Sequence, residues 1–120
     1  MDEQELDAYK QMEDQEKVVY NLNEIINLIN NHEFTNIYNK LDKTFRNAYF
    51  KTEQDFREYI ENKLFKVNYI NDIKITQESE VYRCYCTLKD SNRVAANIAN
   101  ITFYMVIEED GYVLSIDMIN

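Results

Sequence analysis

Two cysteines, Cys84 and Cys86, are the first candidates for chemistry, and they lie two residues apart. On a β-strand this spacing places both thiols on one face. A zinc site needs further ligands, and the chain offers only one histidine and no other cysteine. A dithiol redox site needs the spacing Cys-x-x-Cys at a helix start, which the sequence lacks. We therefore interpret both residues as buried thiols that act as small hydrophobic side chains.

Proton transfer needs an acid or base in a protected position, and two residues are candidates. His32 is the single histidine and ends a helical pattern, where a cap or surface role is typical. Asp117 is the one acid within an otherwise apolar strand pattern, and burial there would raise its pKa. For Asp117 we favour the alternative, which is a partly solvated position near the end of the chain.

Other charged residues indicate structure rather than catalysis. Arg83 lies on a strand pattern, where an ion pair across the sheet is its ordinary role. Glu108, Glu109 and Asp110 are consecutive acids, but a calcium site needs about six converging oxygens, so we expect a solvated turn. The sequence contains no phosphate-binding loop, serine-hydrolase elbow, zinc-protease motif or calcium-binding loop. We expect neither a metal nor a cofactor.

Tyrosine is abundant, with ten in the chain, and several fall on strand patterns. A tyrosine combines a large apolar ring with a polar tip, which suits a pocket wall or a protein contact. Aromatic side chains are also good strand formers, so packing in the core and sheet is the other interpretation. The candidate pocket or interface residues are Tyr82, Cys84, Cys86, Tyr104, Tyr112 and Asp117.

The charge of the chain is concentrated at its beginning. Among the 120 residues are 22 acids and 13 bases, and seven of the acids but only one base lie in residues 1–16, a net charge of −6. The other 104 residues carry a net charge of −3. A nucleic-acid binder or a polybasic membrane binder needs a basic face, so both classes are disfavoured. We interpret residues 1–16 as an acidic, solvated leader, with a short packing helix through Leu6, Tyr9 and Met12 as the alternative.

Three segments have the apolar spacing of amphipathic helices. The first covers residues 17–32 and the second covers residues 34–45 as one continuous helix. The third begins at Thr52, whose side chain is expected to cap it together with Asp55, and it runs to about Phe65. All three precede any strand pattern.

After the third helix, the apolar period changes to alternation, which indicates four strands. They are predicted to begin at residue 67 and to cover residues 81–88, 96–108 and 112–119. In the first, Val67, Tyr69 and Ile73 share a face, and Ile70 lies on the opposite one. The dipeptide Asp110-Gly111 predicts a hairpin between the last two strands.

Helices first and strands second predict an α+β domain, with three N-terminal helices packed on a curved four-stranded antiparallel meander. The last two predicted strands are apolar on both faces. This pattern favours a central, well-covered position, or a second face buried at a dimer contact.

Four sequence segments together resemble one family. They are an apolar helix ending in a corner (VVYNLNEIINLINNHEF), two further helices (FTNIYNKLDKTF and TEQDFREYIENKLF) and a closing meander (ITFYMVIEEDGYVLSIDMIN). Their order resembles the nuclear transport factor 2-like superfamily, a cystatin-like α+β cone, over residues 17–120 as a single domain. The helical region is also similar to small extracytoplasmic domains of AT-rich Gram-positive bacteria. Some of those domains belong to lipoproteins and others to conjugation or secretion assembly factors.

Three alternatives for function stay open on the sequence and the resemblance together. The first is a non-enzymatic interaction or assembly module, the soluble part of a membrane-anchored envelope protein, with self-association or an envelope protein as partner. The second is a small-molecule-binding or enzyme-like cone with a pocket between sheet and helices. The third is a cytoplasmic accessory protein of a phage or plasmid. We favour the first, with an anchor upstream of Met1 as its only link to a membrane.

Overall fold

The computed structural model describes residues 2–63, 69–89, 99–109 and 111–117. Its elements are α1 (Glu3–Gln11), α2 (Asp14–Asn30), α3 (Phe34–Tyr38), α4 (Lys43–Tyr49), α5 (Glu53–Lys63), β1 (Tyr69–Glu78), β2 (Val81–Lys89), β3 (Ala99–Ile107) and β4 (Tyr112–Ile116). The strands form one antiparallel sheet in the order β1-β2-β3-β4. The predicted α+β class, with helices before a four-stranded meander, is therefore confirmed.

The beginning of the chain is helical and partly packed, which corrects the interpretation of residues 1–16 as a solvated leader. At the start of α1 the Asp2 side chain accepts a hydrogen bond from Glu5 N at 2.8 Å. Tyr9 is 1% exposed, whereas the seven acids of this segment are all exposed. α2 begins at Asp14, so a boundary after residue 16 falls inside a helix.

The prediction of one helix over residues 34–45 is wrong, because the chain leaves the helical path between α3 and α4. There Leu41 forms a parallel bridge with Leu114 of β4. Leu114 N donates to Lys40 O at 2.9 Å, and Asp42 N donates to Leu114 O at 2.8 Å. A helical backbone would use these groups internally, so only the break allows them to cover the edge of β4.

Side chains cap the two helices that follow this break. Asp42 Oδ2 accepts a hydrogen bond from Phe45 N at 3.0 Å at the start of α4. Thr52 Oγ1 accepts one from Asp55 N at 3.2 Å, which confirms the predicted cap of α5. The predicted end of that helix at Phe65 lies outside the described residues.

β1 contains a bulge that corrects one prediction about its faces. The register with β2 shifts between Ile70 and Asp72. Ile70 then lies opposite Leu88, and Ile73 lies opposite Cys86, so both isoleucines are on the inward face. The prediction that Ile70 lies on the opposite face is wrong, because a bulge adds one residue and so reverses simple alternation.

One core joins the helices to the inward face of the sheet. The helical residues in it include Val18, Leu22, Ile25, Ile26, Ile29, Phe34, Ile37, Phe56 and Ile60, and the strand residues include Tyr82, Cys84, Cys86, Leu88, Ile101, Phe103, Met105, Tyr112, Leu114 and Ile116. Alternate residues of β2 and β4 are buried, as predicted. The intervening side chains therefore form a second, outward face of the sheet.

The strand order determines which strands have a free edge. β3 is central, but β4 is an outer strand, so the central position predicted for the last two strands holds for β3 alone. Leu41 covers the outer edge of β4 at one point. β1 is the outer strand on the other side, and within the described ranges it pairs only with β2.

Some predicted features lie outside the described residues, namely Val67, residues 96–98, Asp110 and residues 118–119. The predicted hairpin between β3 and β4 is nevertheless present, since Glu108 N donates to Gly111 O at 2.9 Å. In the part of the chain that is described, no helix combines the length and apolar character needed to cross a membrane.

Candidate functional site

Two candidate residues, Tyr82 and Tyr112, connect the strands to α2. Both rings are buried, and their hydroxyls reach carboxylates. Tyr82 Oη donates to Asp14 Oδ2 at 3.2 Å, and Tyr112 Oη donates to Glu24 Oε1 at 3.2 Å. Lys40 Nζ lies 3.6 Å from Glu24 Oε1 and 4.5 Å from the centroid of the Tyr112 ring. The second contact therefore joins a phenol, a carboxylate and an ammonium group.

A third tyrosine, Tyr9, ties α1 to α2 and to the hairpin. Its hydroxyl accepts a hydrogen bond from Asn21 Nδ2 at 2.9 Å and donates one to Gly111 O at 3.3 Å. Asn21 is buried, and its Nδ2 also lies 3.6 Å from Met105 Sδ. Lys17 Nζ lies 5.3 Å from the centroid of the Tyr9 ring. One polar network thus links three elements through the protein interior.

Burial keeps these hydroxyls protonated. It raises the pKa of Tyr112 above the ordinary 10.0, with Glu24 as the second cause. The pKa of Tyr82 is raised by burial and then by Asp14, and the pKa of Tyr9 is raised chiefly by burial. A general base must be able to lose its proton near the working pH, so these phenols act as hydrogen-bonding anchors instead.

Cys84 and Cys86 are core residues, as the sequence indicated. Both are 0% exposed, and their thiols donate to the carbonyl oxygens of Tyr82 and Cys84 at 3.7 and 3.8 Å. Burial raises the pKa of each thiol to about 12. Because the thiolate is the reactive form, neither cysteine is suited to nucleophilic or redox chemistry.

The remaining candidates, Tyr104 and Asp117, lie apart from the tyrosine anchors. Tyr104 is half-buried on the outward face of the sheet. Asp117 follows the end of β4, and its backbone N donates to Thr102 O at 2.9 Å. Its carboxylate lies near α5, where it is the second cause, after burial, of the raised pKa of Tyr59. The six candidate residues therefore do not come together in one place.

His32 occupies the surface corner that the sequence indicated. It is exposed, and its φ of 57° places it in the left-handed conformation that ends α2. The ring packs edge-on against Phe34, with centroids 5.7 Å apart. Its position fits a helix cap.

The outward face of β2, β3 and β4 carries aromatic and apolar side chains, most of them half-buried. We call it the outer sheet face, and it consists of Val81, Arg83, Tyr85, Thr102, Tyr104, Val106, Val113 and Ser115. Cross-strand pairs order it in rows, with Tyr85 opposite Thr102 and Arg83 opposite Tyr104. Tyr104 lies at its centre, and Tyr85, on β2 at one corner, is 38% exposed. A surface of this kind offers ring area and hydroxyls to a partner.

A surface groove of about 820 Å³ lies between the α3–α4 segment and the β3–β4 hairpin. Its charged lining residues are three bases and three acids, namely Lys40, Lys43, Arg46, Asp42, Glu108 and Glu109. These charges balance, and Arg46 is already 3.5 Å from a backbone carbonyl oxygen. Within residues 2–63 and the described strands, no three acidic, cysteine or histidine side chains cluster as metal ligands.

Sequence reasoning missed the partners of the buried tyrosines, which are Asp14, Asn21, Glu24 and Lys40. A signal existed for Asn21, because it is a polar residue on the apolar stripe of α2, next to Val18. Such a side chain must find a hydrogen-bond partner when it is buried. Asp14 and Glu24 on α2 and Lys40 in the turn after α3 carry no comparable signal, since charged residues at the protein surface are ordinary.

The tyrosine hydrogen bonds are packing contacts and the outer sheet face is a surface, so neither feature identifies a protein family. No protein-family model matches this chain, and no curated protein matches it.

Proposed function

We propose that this chain is a non-enzymatic interaction or assembly module, and that the outer sheet face contacts a protein partner. The observation that carries the proposal is the 38% exposure of Tyr85 on a sheet face where Tyr104, Val106 and Val113 are also half-buried rather than covered. Tyrosine is enriched in protein interfaces because its ring supplies contact area and its hydroxyl a hydrogen bond.

The burial of the cysteine and methionine side chains and the hydrogen bonds of the tyrosine hydroxyls also support an interaction role. They favour it over the alternative of a ligand-binding or enzyme-like cone. The strand residues that would line a cone interior include Cys84, Cys86 and Met105. All three are 0% exposed and pack against the helices. The hydroxyls of Tyr82 and Tyr112 are engaged by carboxylates, so they are not available to a substrate.

The family and location belong to the same proposal. The order of N-terminal helices followed by a four-stranded meander supports the resemblance to the nuclear transport factor 2-like superfamily at the level of element order. The separate similarity of the helical region to small extracytoplasmic domains of AT-rich Gram-positive bacteria supports a role in the bacterial envelope, as the soluble part of an anchored protein. A tyrosine-bearing sheet face then has either another envelope protein or a second copy as its partner.

Site-specific photo-crosslinking tests the outer sheet face. A benzophenone side chain is placed at Tyr85 and, as the control, at Tyr49 of α4, which is 55% exposed. Because Tyr85 lies on the proposed contact surface, we expect a discrete crosslinked protein from position 85 in cells. Position 49 is more accessible but lies off this surface, so it should give none.

Two results would contradict the proposal together. They are equal crosslinking from positions 85 and 49, and a monomer by light scattering at high protein concentration. A bound small molecule released on denaturation of the purified protein would favour the ligand-binding alternative instead.

A further inference from the structure

β1 ends the sheet on one side, and its outer backbone groups have no strand partner among the described residues. It spans Tyr69–Glu78, which is ten residues and long for an edge strand. Its inward isoleucines, Ile70, Ile73 and Ile75, are only partly buried against the core. A long edge with incompletely covered apolar side chains is a template for the addition of another strand.

The charges along β1 are complementary to those of a second β1 in one antiparallel register. Lys74, Thr76 and Glu78 lie on the outward face, and all three are exposed. With Thr76 opposite Thr76, each Lys74 lies opposite the Glu78 of the other copy. A two-fold axis at Lys74 would oppose two lysines, and one at Ile75 would oppose Asp72 and Glu78. Registers nearer the start of β1 would include the bulge.

We propose that β1 is the site at which a second copy of this chain adds to the sheet, with Thr76 on the two-fold axis and two Lys74–Glu78 pairs across it. Two four-stranded sheets then form one continuous sheet of eight strands. The axis is perpendicular to the sheet, so the two outer sheet faces lie side by side on the same surface. The pairing deepens the proposed function, because it doubles the face offered to a partner.

The physical chemistry predicts a weak and concentration-dependent dimer. Pairing through one edge buries less area than a standard protein interface. Exposed charge pairs add little affinity, so the Lys74–Glu78 pairs act mainly by selecting the register. Dimerisation should therefore be measured at high protein concentration and low salt, where screening is least.

Disulfide trapping tests the register directly. Thr76→Cys places two thiols opposite each other at the two-fold axis, within the reach of a disulfide bond. Asp72→Cys is the control, since its two copies would be roughly 25 Å apart along the strand. We expect mild oxidation to give a covalent dimer from Thr76→Cys at least tenfold faster than from Asp72→Cys. The native Cys84 and Cys86 are buried and do not compete.

Charge reversal supplies an independent measurement in the full chain. Lys74→Glu and Glu78→Lys should each raise the dissociation constant about tenfold in sedimentation experiments. The double variant Lys74→Glu/Glu78→Lys should restore it, because both pairs are re-formed with exchanged signs. Lys43→Glu, an exposed lysine on α4, carries the same charge change and should leave the constant unaltered.

The pairing is overturned if Thr76→Cys crosslinks no faster than Asp72→Cys, or if the double variant stays as weak as the single ones. A monomer at the highest concentration also overturns it. These results are separable from the proposed function. Crosslinking from Tyr85 to a different protein would persist if only the β1 pairing failed, and it would vanish alone if only the outer sheet face were wrong.

Discussion

The hydroxyl groups of three buried tyrosines, Tyr9, Tyr82 and Tyr112, make polar contacts that the apolar core cannot provide. Each hydroxyl oxygen forms a hydrogen bond with another element of the fold, and the distance to the partner atom is 2.9 to 3.3 Å. A hydrogen bond of this kind contributes about 1 kcal/mol net, but removing one partner leaves a buried polar group unsatisfied. Asn21 should be the partner most affected by loss of its hydrogen bond. Its side chain is buried, and the other neighbour of its Nδ2 atom is the thioether sulfur of Met105, a weak acceptor.

Tyr9→Phe removes the hydroxyl from this network while keeping the ring. We expect the free energy of unfolding to fall by about 1–2 kcal/mol, because Asn21 Nδ2 loses its acceptor in the protein interior. Urea denaturation followed by circular dichroism measures the change. Tyr49→Phe, which alters the same group at a position that is 55% exposed, should stay within about 0.5 kcal/mol of the parent. Equal effects from the two variants would show that the Tyr9 hydroxyl is not an anchor.

The secondary-structure elements differ in how far the sequence could predict them. Residues 81–88 alternate because one face of β2 is buried, and Thr52 marks the start of α5 by its own hydrogen bond, so both were predictable. The break after α3 was not, because helical spacing and bridging to Leu114 both require an apolar residue at Leu41. A contact between segments so distant in sequence leaves no local signal, and the bulge after Ile70 is hidden for the same reason.

The candidate site shows the same limit at the level of single side chains. Alternation could place Tyr82 and Tyr112 on one face, and their burial follows from that. The carboxylates that receive their hydroxyls lie on α2, and only the packing of helix on sheet brings Asp14 and Glu24 to them. Asp117 was assigned to a strand that ends one residue earlier, so its neighbourhood near Tyr59 was also not predictable.

Asp42→Ala tests the cap that begins α4 after the break. We expect a loss of about 1 kcal/mol in the free energy of unfolding, since Phe45 N loses its side-chain acceptor. The backbone bond from Asp42 N to Leu114 O does not depend on the side chain, so the edge of β4 should stay covered. Asp42→Asn keeps an acceptor oxygen and should retain most of the stability. Equal losses in a chemical denaturation series would argue against capping as the cause.

At the scale of the whole molecule, α1 and α2 are attached to the sheet by hydrogen bonds at the β3–β4 hairpin and at the start of β2. Residues 1–16 are acidic, yet their acidic side chains are exposed to solvent while Tyr9 is buried in the core. Charge and packing are thus separated on α1, so its acidity does not oppose docking. The fastening groups are phenols whose pKa values are raised in the folded state, which links the stability of the whole fold to pH.

The stability of the protein should decline under alkaline conditions. Burial raises the pKa of Tyr112 above 10.0 in the folded state, so the folded protein holds the proton more tightly than the unfolded chain. This contribution is complete below about pH 10, the pKa of unfolded tyrosine, and is lost as the pH rises toward the folded pKa. Tyr112→Phe should be less stable at pH 7 but show a shallower decline between pH 9 and about 11. Parallel curves for parent and variant would refute the linkage.

The bond between Tyr9 and Gly111 has a consequence for how the protein is made, because it joins residues 102 positions apart. A ribosome releases the chain from its beginning, so α1 emerges long before its acceptor has been synthesised. Contacts of such large sequence separation slow the formation of a native structure. We therefore expect the N-terminal helices to remain undocked until β4 has left the ribosomal exit tunnel. During that time their apolar side chains should be accessible to chaperones.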